Sequence, residues 1–483
     1  MKLLRKLFSK DTGVAFKASF WYTFCNFLQK GISFFVVPLY VRLLTTAEYG
    51  QYTTFSSWLS LLIIVASLNL YCGVYTKAMV DLKEDRDRYT SSMQGLGTIT
   101  TMVLFLVYIT NISFWNGFFK INTLVGISMF VYFLAYPSIS FWMTRQRVDY
   151  KYKKVVFVTL IMSLLYPAIS LLLLHTTKLQ PKAVMLGYLW SQSLFGLFLY
   201  VYYFVKGKLF FDKNYWVKAL KFNLPLLPHY VSLVILSQTD RLMVQFYCGD
   251  SEAGIYGFAC QIGMVLTIVG NAICTSFVPW IYQKLKNKNL DPIKKTFVYL
   301  SLFICLCCVV LVAFTPEGIK ILGTGEYDKS KFIVPVISFG YFFVFCYSFF
   351  ANVEFYYSST KSIMVATTLS ALINIGLNAL LLPLMGSIAA ALTTMFCDFC
   401  LCVFHFLASK QVLKKQGILK TPFNIVQVFL IGLFAAVIGL CFILLYGDFR
   451  ARICFVLTLL IFAFAAKDKI KDIFRGMRNG KKE

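Results

Sequence analysis

Charge is scarce in this sequence. Only 14% of its 483 residues are Asp, Glu, Lys or Arg, against 59% of apolar types, whereas a soluble globular domain is about a quarter charged and about half apolar. That shortage excludes a soluble chain. Long polar stretches are missing too: the widest gaps between apolar runs are about 15 to 20 residues, which leaves no room outside a bilayer for a catalytic or nucleotide-binding domain. No GxxxxGK[ST] loop, HExxH helix or nucleophile elbow occurs anywhere. Gly323 and Gly325 resemble a phosphate loop only superficially, and no large outer loop carries the paired carboxylates of a membrane glycosyltransferase. Enzyme activity is therefore not expected, no ATP site is encoded, and no cofactor or metal is implied. The 14 Cys are scattered, mostly within apolar runs, so they imply no disulfide framework and say little about compartment.

What the sequence has is apolar runs. They lie near 18–40, 54–76, 92–113, 121–142, 155–175, 183–205 and 222–247, then near 254–282, 296–315, 332–357, 363–383, 387–408, 424–446 and 449–466. Each is about the length that spans a hydrocarbon core as a helix. Backbone groups find no water there, so each run must close its hydrogen bonds within itself, and the alternating pattern of a membrane barrel is absent. The fold expected is an all-α polytopic membrane protein of about 14 transmembrane helices. With the N-terminus inside, the cytoplasmic segments hold 36 Lys and Arg and the opposite side holds 9, among them Arg42 and Arg452. This asymmetry obeys the positive-inside rule. The net charge of +26 is thus read as topology and lipid-headgroup attraction, and no nucleic acid is implied.

The N-terminus is not a cleavable signal, because Lys2, Arg5, Lys6 and Lys10 leave no uninterrupted apolar core before Asp11. Leu3, Leu4, Leu7 and Phe8 share a helical face, as do Ile470, Ile473, Phe474 and Met477 in the basic tail. Both segments read as in-plane interfacial helices.

An internal repeat is also present. Glu48, Tyr49, Gly50, Gln51, Tyr52 follows the first run, and Glu252, Ala253, Gly254, Ile255, Tyr256 follows the seventh. The shared Glu-x-Gly-x-Tyr recurs 204 residues on, across an even number of spans, which predicts two parallel six-helix lobes around a central cavity, with two C-terminal helices appended. Locally, Gly stops a helix, Tyr belongs to the aromatic belt and Glu caps the next helix. The expected divisions are an N-terminal lobe at 1–205, a cytoplasmic linker at 206–221, a C-terminal lobe at 222–408, two further spans at 409–466 and a basic tail at 467–483.

A charge at mid-bilayer costs at least about 2.5–3.5 kcal/mol, so each one calls for a partner or a cavity. Lys30 lies near the centre of the first span and Asp398 near the centre of the twelfth. Asn26 and Gln29 add polarity beside Lys30, and Gln238, Asp240 and Arg241 do so on the seventh span. For the adjacent Asp240 and Arg241, a structural pair and a ligand contact are both open. Arg42 and Glu354 lie near helix ends, where a cavity role competes with snorkelling to the interface, Arg42 then pairing Glu48. Pro225 and Pro228 precede His229 at the start of the seventh span and predict a hinge or gate. Prolines 38, 137, 167, 279, 335 and 383 interrupt or end other spans, where kinks are expected. Cys397, Cys400, Cys402 and His405 would suggest zinc or redox chemistry in a soluble chain; within an apolar helix they read as packing.

Two blocks carry a family resemblance. Pro38, Leu39, Tyr40, Val41, Arg42, Leu43, Leu44 through Glu48–Tyr52 resembles the N-terminal pattern of Wzx-type polysaccharide repeat-unit flippases. Leu224, Pro225, Leu226, Leu227, Pro228, His229 with Asp240, Arg241 and Gly254, Ile255, Tyr256 resembles the motif opening their second half. Asn69, Leu70, Tyr71, Cys72, Gly73 departs from the more glycine-rich turn expected there. These families belong to the multidrug, oligosaccharidyl-lipid and polysaccharide exporter superfamily. The resemblance implies outward flipping of a polyprenyl-diphosphate-linked oligosaccharide across the bacterial cytoplasmic membrane by a chain with both termini cytoplasmic. It serves O-antigen, capsule or exopolysaccharide, beside a polymerase and glycosyltransferases, and a single two-lobe chain needs no second copy. Lys30, Arg42 and Arg241 would meet the diphosphate, with Asn26, Gln29 and Gln238 toward sugars. Asp240, Asp398 or Glu354 would exchange a coupling ion. A cation-coupled multidrug or metabolite antiporter of the same superfamily, or a flippase for a different lipid-linked precursor, is the alternative.

Overall fold

The computed structural model describes residues 10–357, 359–419 and 421–465. The in-plane helices expected from Leu3, Leu4, Leu7 and Phe8 and from Ile470, Ile473, Phe474 and Met477 lie outside the described residues, as does the tail 467–483.

The chain divides into two compact units, Met1–Gln245 and Phe246–Glu483. The first runs through α1 (Lys10–Leu43), α2 (Thr46–Ser67), the short α3 (Val74–Asp81), α4 (Arg86–Thr110), the short α5 (Ile112–Phe119), α6 (Thr123–Val148), α7 (Tyr152–Thr176), α8 (Lys182–Gly207) and α9 (Lys213–Asn223), and by a 3-10 turn at Leu224–Leu226 enters α10 (Leu227–Cys248). The second comprises α11 (Asp250–Lys286), α12 (Asp291–Ala313), the short α13 (Thr315–Leu322), α14 (Ser330–Tyr356), α15 (Thr360–Met385), α16 (Ser387–Lys415), α17 (Ile425–Leu444) and α18 (Phe449–Ala465). Among the described residues there is no strand.

Twelve segments are long and apolar enough to cross a membrane, with α9 and α10 counted as one. Two of the fourteen expected spans are not among them. The first is α2, which is polar, yet its hydroxyls fold back onto its own carbonyls: Thr54 donates to Gly50 O at 2.9 Å, Ser57 to Thr53 O at 3.1 Å and Ser60 to Ser56 O at 2.8 Å. The second is α18, which is described over 17 residues only. Both form helices where spans were expected, so the all-α architecture of about fourteen spans holds.

Two boundaries differ from the sequence reading. The run at 54–76 breaks after Ser67, where Leu68 and Asn69 take left-handed backbone at φ 49° and 50°. The Asn223 side-chain amide donates to both their carbonyls at 3.2 Å, so this turn is held by a long-range bond rather than by glycine. The expected linker 206–221 contains most of α9, whose first turn is capped by Asp212. The six prolines 38, 137, 167, 279, 335 and 383 all lie inside helices that continue past them.

The repeat is visible helix by helix within each unit. In the first, α8 packs against both α6 and α7; in the second, α16 packs against both α14 and α15. A short helix, α5 or α13, leads into α6 or α14 in turn. Each Glu-x-Gly-x-Tyr copy opens a helix, α2 or α11, with Gly50 and Gly254 both buried.

Lipid tails are as apolar as leucine, so close approach rather than hydrophobic burial holds such helices together. At Gly196 of α8, an added Cβ would stand 2.6 Å from Ala135 O of α6; at Gly187, 2.6 Å from the Ser170 backbone nitrogen of α7. Replacing Gly196 by Ala is expected to part α6 from α8 and destabilise the unit by about 1–3 kcal/mol. Thermal unfolding in detergent micelles reads this as a lower Tm. Gly117→Ala, where nothing lies within 4 Å, is expected to leave Tm unchanged or raise it.

Candidate functional site

The polar residues of the first unit lie on α1, α2 and α10. Lys30 is half-buried in α1, and no acidic residue pairs with it among the described residues. Asn26 and Gln29, on the turn before it, are exposed. Arg42 is exposed at the end of the helix, while Glu48 is engaged in a capping box: Thr45 N donates to Glu48 Oε2 at 2.9 Å, and Glu48 N to Thr45 Oγ1 at 3.3 Å. The expected capping role of Glu48 is thus the one observed. On α10, Gln238 Oε1 accepts from Ser57 Oγ of α2 at 3.1 Å and from Arg241 Nη1 at 3.0 Å, which ties the guanidinium to α2. Asp240, the neighbour of Arg241 on the same helix, is 5% exposed.

Pro225 lies in the 3-10 turn and Pro228 in the first turn of α10. Two helical geometries thus meet there, anchored by Asn223. His229 is half-buried, its ring 5.9 Å from that of Tyr230.

The sequence reading missed a file of tyrosines in this unit. Rings of Tyr71 and Tyr136 lie 6.0 Å apart, Tyr136 and Tyr132 5.1 Å, Tyr132 and Tyr188 6.0 Å, and Tyr188 and Tyr166 5.9 Å. A second group, Tyr40, Tyr52 and Tyr49, has centroids 5.7 and 6.1 Å apart. Tyr52, Tyr71, Tyr136, Tyr166 and Tyr188 are only half-buried, so part of each residue remains accessible. Ser33, one turn beyond Lys30 on α1, lies beside the Tyr166 hydroxyl, so Lys30 is one helical turn from a contact with this file. Behind it, Ser138 Oγ donates to Gln94 Oε1 at 2.9 Å and Gln94 Nε2 to Tyr200 O at 3.1 Å. This network lies next to the kink at Pro137, beside a small cavity lined by Ser67, Gln94, Thr98 and Pro137.

The second unit is carboxylate-centred. Glu354 is 0% exposed, which overturns the snorkelling alternative for it. His405 Nδ1 lies 2.6 Å from Glu354 Oε1, and Ser362 Oγ donates to Oε2 at 2.5 Å. His405 therefore does more than pack; Cys402 does sit in the apolar core of this unit, and Cys397 is buried. Asp398 is 9% exposed, with Oδ2 3.1 Å from where a Cβ on Gly340 would be. A further buried polar set was not foreseen. Asn378 Nδ2 donates to Asn374 Oδ1 at 3.1 Å, Asn374 Nδ2 to Thr394 Oγ1 at 3.2 Å, and Thr393 Oγ1 to Asn378 Oδ1. Glu252, of the second motif copy, accepts from Lys329 Nζ at 3.0 Å and Ser387 Oγ at 2.5 Å.

One ion pair staples the first turn of α18 to the short α13. Arg452, 2% exposed, donates to both Glu317 oxygens at 2.6 and 2.7 Å and to Ala313 O at 2.6 Å. The Arg452 hydrogen bonds hold the Glu317 carboxyl below the usual carboxylate range. A depressed folded value means stabilisation that is present at neutral pH and lost as pH falls through that value.

Comparison with known proteins places these features. A family profile described as "Polysaccharide biosynthesis protein" matches residues 15–285, and one described as "MatE" matches residues 225–380. The chain is 23% identical over 384 residues to "Lsg locus putative protein 1" of Haemophilus influenzae, covering 74% of this chain and 89% of that protein. It is 22% identical to "Capsular polysaccharide biosynthesis protein CapF" of Staphylococcus aureus over 66% of this chain and 80% of that one. In fold it is similar to "Lipid II flippase MurJ, inward closed conformation", with TM-score 0.67 at 15% identity, covering 94% of this chain and 99% of that one. It is also similar to an inward-facing multidrug resistance MATE family transporter, with TM-score 0.60 at 11% identity over 80% and 95% of the two chains.

Glu317→Gln leaves the buried Arg452 charge without its counter-charge, and the expected cost is about 1–3 kcal/mol at neutral pH. Tm measured against pH is expected to fall in acid for the wild-type chain, and the gap between wild type and the variant to narrow there.

Proposed function

The chain belongs to the polysaccharide biosynthesis protein family of membrane transporters, and from that premise we propose that it flips polyprenyl-diphosphate-linked oligosaccharide repeat units from the inner to the outer leaflet of the bacterial cytoplasmic membrane. Its two termini lie on the cytoplasmic side, as the distribution of basic residues requires.

The observation that carries this reading is Lys30. A half-buried ammonium in a membrane span, with no acidic partner among the described residues, costs several kcal/mol unless an anion meets it. A diphosphate is such an anion. The tyrosine file beside it supplies amphipathic rings that stack on sugar faces and hydroxyls that bond sugar hydroxyls. Arg241, held by Gln238, and the exposed Arg42 extend the cationic path, with Asn26 and Gln29 for the glycan, while the lipid tail stays in the bilayer. The Pro225–Pro228 turn is the hinge at which α10 changes direction as the site is exposed first to one side and then to the other.

Two negative charges moving outward through a potential of about 100 mV release roughly 4.6 kcal/mol, at about 2.3 per charge. Membrane potential alone therefore drives net flipping, and Asp240, Asp398 and Glu354 are the carboxylates available for additional ion coupling. A polymerase and glycosyltransferases of the same polysaccharide are the partners that would use and supply this substrate, with membrane lipids around a monomer. A second reading, cation-coupled antiport of a drug or metabolite, draws on the MatE match and the buried carboxylates; Lys30 favours the first.

Proteoliposome flipping of a fluorescent polyprenyl-diphosphate disaccharide tests the proposal. Lys30→Gln is expected to reduce the rate at least about tenfold, the loss of roughly 1.4 kcal/mol or more of binding, with unchanged Tm, and Lys30→Arg to retain activity. Wild-type rates in Lys30→Gln, or efflux of cationic dyes by the wild-type chain, would favour the antiporter.

A further inference from the structure

The second unit holds an acid–base pair with neither side chain reaching solvent. Glu354 of α14 is 0% exposed and His405 of α16 is 1% exposed. His405 Nδ1 stands 2.6 Å from Glu354 Oε1, Ser362 of α15 donates to the other carboxylate oxygen at 2.5 Å, and the Tyr347 ring stacks on the imidazole with centroids 5.3 Å apart at 19°. Three helices thus converge on one carboxylate, and two of its neighbours touch only its two oxygens.

The charge balance of this pair decides what it holds. Among the described residues, no lysine or arginine forms an ion pair with Glu354. A neutral imidazole beside a carboxylate would leave a net negative charge buried in a span, at a cost of several kcal/mol. One proton on Nδ1 makes the pair neutral and turns the contact into a charge-assisted hydrogen bond, whose ordinary length is about 2.7–2.9 Å. Among the described residues, no cation stands in for that proton by an ion pair with Glu354. Tyr347 comes from α14 itself; α16 contributes Asp398 and Cys402, and α11 contributes Cys274, all electrostatically in reach of Tyr347. Cys305 and Cys308 of α12 lie in the apolar core of the same unit, and Glu317 of α13 is occupied by Arg452.

We propose that Glu354, His405 and Ser362 form a buried proton-binding site in the second unit, loaded from water when the seam between α14 and α16 is open and sealed when it is closed. The proton arrives on His405 Nδ1, is held between the imidazole and the carboxylate, and leaves to water by the same atoms. Ser362 keeps Oε2 satisfied, so that Oε1 alone faces the imidazole. That the site loads and unloads with each turnover rests on the transport reading above; that it binds a proton does not.

The chain has three His, which makes the site readable in the full-length protein. In nanodiscs containing protein labelled with 15N-histidine, the His405 signal, identified by its loss in His405→Gln, is expected to be that of a doubly protonated imidazolium at neutral pH, and to become that of neutral imidazole in Glu354→Gln. A neutral His405 in the wild-type chain, or an imidazolium unaffected by Glu354→Gln, would overturn the proposal. If Glu354→Gln does not fold, infrared spectra of His405→Gln decide instead: the gain of one protonated-carboxyl band is expected, and no gain refutes the site.

Coupling is read in proteoliposomes with the potential clamped at zero. A pH gradient is expected to accelerate flipping of the fluorescent polyprenyl-diphosphate disaccharide by wild type at least about threefold and not to accelerate that by His405→Gln. Equal acceleration of both removes the coupling. Failure of wild type to flip under any gradient removes the transport reading and leaves the spectroscopic result standing.

Discussion

The hydrocarbon layer gives no hydrogen bonds, and every polar group placed there must find its partner inside the protein or in the cargo. This constraint orders the whole structure. It makes each apolar run a helix and turns the hydroxyls of α2 back onto their own carbonyls. It also accounts for the polar knots at Gln94–Ser138, Gln238–Arg241 and Asn374–Asn378, where each side chain has a named partner. Lys30 is a charged side chain in a span that forms no ion pair among the described residues. Under the proposed function, that cation meets an arriving anion.

The two units share a helix order and packing pattern but differ in electrical character. The first presents an ammonium, a guanidinium and half-buried tyrosine rings. The second encloses its carboxylates, Glu354 against His405 and Asp398 against α14. A duplicated scaffold with unlike polar groups allows one copy to recognise an anion while the other handles a proton, since the backbone that both depend on is satisfied independently of these side chains.

Much of this was legible in the sequence. Span positions follow from run length, and the role of Glu48 from its place three residues after Thr45. The repeat was legible because a capping Glu, a close-packed Gly and a Tyr recur at equivalent helix starts. The break after Ser67 was not, because Leu68 is a poor left-handed residue and the turn is fixed by Asn223, more than 150 residues away. The tyrosine file escaped notice for a related reason: its rings come from α6, α7 and α8 and from the turn after α2, and composition says only that Tyr is abundant. The Glu354–His405 pair was hidden by its own neighbours. Near a helix end Glu354 resembled an interfacial residue, and His405 sat beside a CxxC that drew attention to metal chemistry; only a partner 51 residues distant reveals the pairing.

The central claim, that the Lys30 edge of the tyrosine file receives a lipid-linked diphosphate, is tested most directly by photo-crosslinking. A polyprenyl-diphosphate oligosaccharide carrying a photoactivatable group on its first sugar is added to the purified wild-type chain, and the adducts are mapped by mass spectrometry. The account predicts adducts concentrated on α1, α6 and α8 peptides, displaced by unlabelled polyprenyl diphosphate but not by the uncharged polyprenol. Adducts spread over the lipid-facing helices, or displaced equally by the polyprenol, would contradict it.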